Sequence, residues 1–133
     1  VIELASSVQE KLLSYARQCH PEEACGVLAG TGRLLEEFYP LSNQDRSGTS
    51  FYIDPKELLE TVKLIRSKRL RMLAVFHSHL EADAYPSAKD IRLAYDPDLI
   101  HLICSLARPK ETALRAFRIR DGKVTELKVQ LAD

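Results

Sequence analysis

The chain has 133 residues, 45% of them apolar and 29% charged, with 19 basic side chains against 19 acidic ones. That length and composition suit one globular domain over residues 1–133, with a single buried core. The lack of any surplus of Lys and Arg argues against a nucleic-acid or anionic-membrane binder, and the longest apolar runs, Met72–Phe76 and Leu99–Leu106, are far shorter than a bilayer span.

Behind Ser6 and Ser7, which read as a serine cap, Val8, Leu12, Leu13 and Ala16 fall at helical spacing until His20-Pro21. Cys25 to Gly30 is a short apolar strand. Thr31-Gly32 supplies turn chemistry, and Leu34–Leu41 completes a hairpin. Ser42–Ser50 contains no hydrophobe and reads as loop, followed by a candidate short strand at Phe51-Tyr52-Ile53. Asp54-Pro55 then opens a helix with Leu58, Leu59, Val62 and Ile65 along one stripe. The cations that end it, Lys63, Arg66, Lys68, Arg69 and Arg71, read as a solvated face that complements the helix dipole.

Met72–Phe76 is a nearly continuous apolar strand of the kind buried on both faces, and it runs directly into His77-Ser78-His79. A polar loop, Glu81–Pro86, leads to Ser87 and a short helix reaching Tyr95; a turn at Asp96-Pro97-Asp98 precedes a strand over Leu99–Leu106. Two last strands, Ala113–Ile119 and Lys123–Val129, are joined at Asp121-Gly122, a strong hairpin signal. Helices interspersed among strands predict an α/β fold in three layers, a mixed sheet flanked by helices.

Cys19, Cys25 and Cys104 are an odd number at wide spacings without a CxxC pair, which suits reduced thiols in a cytoplasm. Val1-Ile2-Glu3-Leu4 does not read as a secretory signal.

The chemistry centres on His77-Ser78-His79. On a strand, residues two apart lie about 7 Å apart and point to one face, so the two imidazoles converge while Ser78 faces away. Ser87 and Asp90 lie three apart in the first turn of the next helix and share a face. As capping residues they would stabilise the helix start; as a partner of the histidines, Asp90 would supply a third metal ligand. Two His and one Asp leave a fourth position on zinc open, the pattern of a catalytic site. Hydrolysis also requires a group to move the proton of water. Glu22, Glu23, Glu81 and Asp83 are all candidates, and Glu22 and Glu23 enter a buried-looking strand where a carboxylate is costly. His101, on an apolar strand, reads as a core histidine.

The stretch His77-Ser78-His79, seven residues, Ser87, two residues and Asp90 resembles the H-x-H-x7-S-x2-D signature of the JAMM (MPN-plus) metalloproteases. Pro21 to Gly30 resembles the family's segment in which a glutamate precedes a C-G pair and an apolar strand. The resemblance implies the cytidine-deaminase-like JAMM/MPN fold and one zinc per chain held by His77, His79 and Asp90. It further implies Glu23 as general base and then acid, and Ser87 as hydrogen-bond donor to the oxyanion. The implied substrate is the C-terminal tail of a ubiquitin-like or sulfur-carrier protein, cut at a peptide or isopeptide bond. Leu80 departs from the proline the family usually carries after the second histidine, which leaves that loop without a fixed φ.

The main rival is a non-catalytic MPN-type scaffold, although every motif position is filled. A Ser-His-Asp hydrolase is disfavoured because no G-x-S-x-G surrounds Ser87, and a zinc deaminase because no H-x-E is followed by P-C-x-x-C.

Overall fold

A computed structural model of the chain describes residues 1–108 and 113–132. Its elements run β1 (Ile2–Ala5), α1 (Ser6–Cys19), β2 (Cys25–Thr31), β3 (Leu34–Leu41), α2 (Pro55–Ser67), β4 (Arg71–His79), α3 (Ala88–Arg92), β5 (Ile100–Ser105), β6 (Ala113–Arg120), β7 (Lys123–Leu127) and β8 (Val129–Ala132). The strands form one mixed sheet in the order β7-β6-β5-β4-β2-β3-β1-β8. The three-layer α/β expectation holds: α1 and α2 pack into separate apolar clusters on opposite faces of this sheet.

β4 lies at the centre, antiparallel to β2 and parallel to β5. Its alternation divides the core. Ala74 and Phe76 join Val8, Leu12 and Ala16 of α1, whereas Val75 packs with Val27 and with Ile65 of α2; a bulge between β2 and β4 shifts the phase, so that Met72 also falls on the α2 face. Burial on both faces is the reason the run carries no polar residue before His77. Because side chains alternate, His77 and His79 emerge on the face of Val75. Cys25 and Cys104 fall into different clusters, and all three cysteines are free thiols.

The two hairpins form as expected, with Gly32 and the Asp121-Gly122 pair at positive φ. At the latter both turn residues adopt the left-handed region that a two-residue type I′ loop requires.

Several expectations are corrected. Phe51-Tyr52-Ile53 forms no strand; the amide of Tyr52 donates to the side-chain oxygen of Asn43, and the Tyr52 carbonyl accepts from the Gln44 amide. The helix after Ser87 ends at Arg92, not Tyr95. Ala5 occupies the N-cap position of α1, while the hydroxyl of Ser6 donates to the Ala132 carbonyl at 3.3 Å. Asp54 stands at the N-cap of α2, but its carboxylate makes no capping bond and Pro55 alone marks the start. Finally, Ile2–Ala5 is a strand, and the terminal segment is two strands broken at Lys128. These two outer strands, β7 and β8, border opposite edges of the sheet yet are successive stretches of chain, so the sheet curls round until its edges approach. Among the described residues no helix is long and apolar enough to cross a membrane.

Candidate active site

Two elements converge at the C-terminal end of β4. His77 and His79 project from the strand, and α3 brings Asp90 to them. His77 Nε2 lies 3.0 Å from His79 Nε2 and 3.2 Å from Asp90 Oδ2. His79 Nε2 and Asp90 Oδ2 are 3.6 Å apart. Bonds of 2.0–2.1 Å to a tetrahedral zinc place neighbouring donors about 3.3 Å apart, so these three atoms have the spacing of a single ion's ligands. Among the described residues they form the one group of three or more side chains suited to hold a metal.

The surroundings direct the lone pairs. His79 Nδ1–H donates to the carbonyl of Asp83 at 2.7 Å, and since a carbonyl only accepts, the neutral ring presents an unprotonated Nε2 to the site. The Phe51 ring stacks on His77 with centroids 4.6 Å apart and planes at 25°. Asp90 is fixed by a reciprocal capping box. Its amide donates to Ser87 Oγ at 3.1 Å, and the Ser87 amide donates to Asp90 Oδ2 at 2.8 Å. The capping and site readings of the Ser87–Asp90 pair therefore coexist, since one carboxylate oxygen both ends the helix and faces the histidines.

Electrostatics favours a neutral His77 beside an ionised Asp90. Full burial lowers the pKa of His77 against the pull of Asp90. Burial works against the charge of Asp90, but its close contacts with His77 and His79 outweigh it and hold the carboxyl far below its usual range. For His79, burial is likewise outweighed, by Asp90 and the Asp83 carbonyl, and its pKa rises.

Glu23 lies just before β2, is 5% exposed and lines the same cavity of about 830 Å³ as the histidines and Asp90. Burial pushes its carboxyl up to about 7, with His79 opposing and Asp90 adding to the shift. Of the other carboxylates weighed from sequence, Glu81 and Asp83 are exposed, Glu22 is half-buried, and Asp83 contributes its backbone carbonyl. His101 also lines the cavity; its Nε2 is buried without a hydrogen-bond partner, and it lies outside the three-donor group.

Two residues that no sequence pattern singles out hold the backbone at Glu23 and Ala24. Ser78, between the histidines, is fully buried and accepts from the Ala24 amide at 2.8 Å, while its own amide donates to the Ala24 carbonyl at 3.0 Å. It faces away from the histidines, as alternation requires, and so ties the strand carrying them to the residue after Glu23. Asn43 donates from Nδ2 to the carbonyls of Glu23 at 3.1 Å and Ser50 at 3.0 Å, and accepts at Oδ1 from Asp45 and Tyr52. An Asn opening a loop is a turn signal, but nothing in the sequence says which distant carbonyl it holds.

A family model described as prokaryotic homologs of the JAB domain matches residues 5–120. This chain belongs to that family, the prokaryotic JAMM/MPN group. A CysO-cysteine peptidase of Mycobacterium tuberculosis is 34% identical over 135 residues, covering 100% of this chain and 92% of the relative. A desampylase of Haloferax volcanii is 34% identical over 111 residues, covering 78% of this chain and 80% of that protein. The solution structure of protein DSY2949 from Desulfitobacterium hafniense superposes with a TM-score of 0.92 at 42% identity, covering 100% of this chain and 94% of its own. Family membership and a hydrolase of the JAMM type, both expected from the sequence, are borne out.

Proposed function

We propose that this JAMM-family chain, acting as one domain over residues 1–133, binds one zinc through His77, His79 and Asp90. With it the chain hydrolyses the peptide or isopeptide bond after the C-terminal tail of a ubiquitin-like or sulfur-carrier protein. The observation that carries this reading is the approach of three donor atoms to within 3.0–3.6 Å beside a buried carboxylate. The substrate class rests on relatives named as peptidases of CysO-cysteine and of protein conjugates and as desampylases. Three free thiols suit a cytoplasmic setting.

When bound, zinc supplies a Lewis acid that polarises the scissile carbonyl and lowers the pKa of water to about 7. The side chains do the rest. The Glu23 carboxylate takes a proton from water as the oxygen attacks the carbonyl carbon, and returns it to the nitrogen as the C–N bond breaks. A pKa pushed up to about 7 lets one group perform both transfers near neutrality. Ser87 Oγ accepts the Asp90 amide, which leaves its own proton free to donate to the carbonyl oxygen as negative charge develops there. Phe51 and the apolar wall of the cavity limit water around the reacting groups.

The test is to incubate zinc-loaded protein with C-terminally extended ubiquitin-like and sulfur-carrier proteins, with and without chelator, and to identify any cut by mass. Cleavage that stops with chelator and returns with zinc is expected, as is loss of zinc in His77→Ala. A fully loaded protein that binds these partners and cuts none of them leaves the scaffold reading standing.

A further inference from the structure

His79 is held from behind, and the hold depends on the loop between β4 and α3. Its Nδ1–H donates to the Asp83 carbonyl at 2.7 Å, so the direction of the Nε2 lone pair follows the position of that loop. The loop begins at Leu80, where the JAMM signature carries proline, and no ring restrains φ there.

Side-chain contacts from β5 and β6 restrain it instead. Ser105, the register partner of His79 on β5, is 6% exposed and donates its hydroxyl to the Ala82 carbonyl at 2.7 Å. The same oxygen accepts from the Ala107 amide at 3.3 Å, so its proton is directed to Ala82. Further along, Ala84 is buried against Ile103 and Phe117. Tyr85 meets Phe117 edge-on with centroids 5.3 Å apart. The Arg115 guanidinium lies 6.0 Å from the Tyr85 ring and 5.1 Å from that of Phe117, and donates to Glu126 at 3.0 and 2.7 Å.

We infer that Ser105 is a positioning residue for His79. By fixing the Ala82 carbonyl it places the next carbonyl, that of Asp83, and so sets the tautomer and aim of the imidazole. Tyr85 under Arg115 anchors the far end of the same loop. This rests on the zinc-site reading above, and Ser105 touches neither metal nor substrate in it.

Zinc affinity measured against a chromogenic chelator tests it. Ser105→Ala is expected to bind zinc about 10-fold or more weakly, the range for losing an outer partner of a metal ligand. The visible spectrum of the cobalt-substituted variant should change with it, and Ser105→Thr, which keeps the donor, should restore both. Tyr85 is half-exposed, so Tyr85→Ala leaves the core intact and is expected to weaken zinc binding by a smaller factor. Parental affinity and spectrum in Ser105→Ala, whatever its melting temperature, overturns the inference. If that variant does not fold, Tyr85→Ala decides, and parental affinity there overturns it. A parent chain that binds no zinc instead removes the ligand assignment itself, taking this inference with it.

Discussion

At Glu23 catalysis and stability pull in opposite directions. The carboxyl is buried and its pKa is raised to about 7. Between the unfolded carboxylate pKa, about 4.3, and about 7, the folded chain therefore binds more protons than the unfolded one, and stability falls as pH rises through that window. Glu23→Gln removes the charge and keeps the shape. In metal-free protein the variant is expected to be more stable than the parent at pH 8 by about 1–3 kcal/mol, from the size of the shift, and the gain should disappear near pH 4. Thermal melts in chelator at the two pH values check this; a gain of equal size at both would mean that the carboxyl is not the cause. The same substitution should leave zinc bound and lower turnover about 10²–10⁴-fold, the range for losing a general base.

At the level of elements, α3 is five residues long and carries no buried side chain. A helix that short is not stable alone, so the capping box does two things at once, starting the helix and orienting Asp90. Ser87→Ala removes the acceptor for the Asp90 amide, which costs about 1 kcal/mol, and removes the hydroxyl donor, which costs about 10²-fold or more in turnover. Turnover is therefore expected to fall far more than melting temperature, as steady-state kinetics and a thermal melt on one sample would show. The reverse pattern would reduce Ser87 to a cap. β2 imposes its own local requirement. A Cβ on Gly26 would come within 2.6 Å of both the Phe38 ring and the Tyr39 carbonyl. The C-G pair after Glu23 thus keeps β2 close against β3, which in turn fixes where the strand entry carrying Glu23 stands against β4.

Over the whole molecule, closure of the sheet depends on its last segment. β8 pairs in parallel with β1 over Ile2–Ala5, and the Ile2 amide donates to the Lys128 carbonyl at 2.9 Å. Leu127 and Val129 pack against the α1 cluster from either side of the break. Removing residues 129–133 would leave β1 as an open edge, so the shortened chain is expected to melt at lower temperature and to aggregate on heating, read by calorimetry and light scattering. Unchanged melting would show that β8 is dispensable. The site lies in the middle of the sheet order, on β4 and β2, with β3 standing between it and β1, so zinc binding should survive at temperatures where the shortened chain is folded.

Much of this was legible in the amino-acid order because it is periodic or local. The apolar run into His77, the stripe of α1, the Asp121-Gly122 turn and the spacing of Ser87 and Asp90 each express a rule that acts within a few residues. β1 and β8 were not legible, for four residues are too few to show alternation and their pairing joins the two ends of the described chain. Phe51 looked like strand because aromatic and β-branched residues suit strands, yet its ring stacks on His77. The identity and order of the groups that meet, and the layers that carry them, are written in the amino-acid order, since short-range sterics and hydrophobic alternation are encoded locally. The folded arrangement alone brings those groups within hydrogen-bonding distance, buries Glu23 beside them, and sets Ser78, Asn43 and Ser105 to hold the backbone around them. Those facts depend on contacts between segments far apart in the chain, where desolvation and register, rather than local preference, set the outcome.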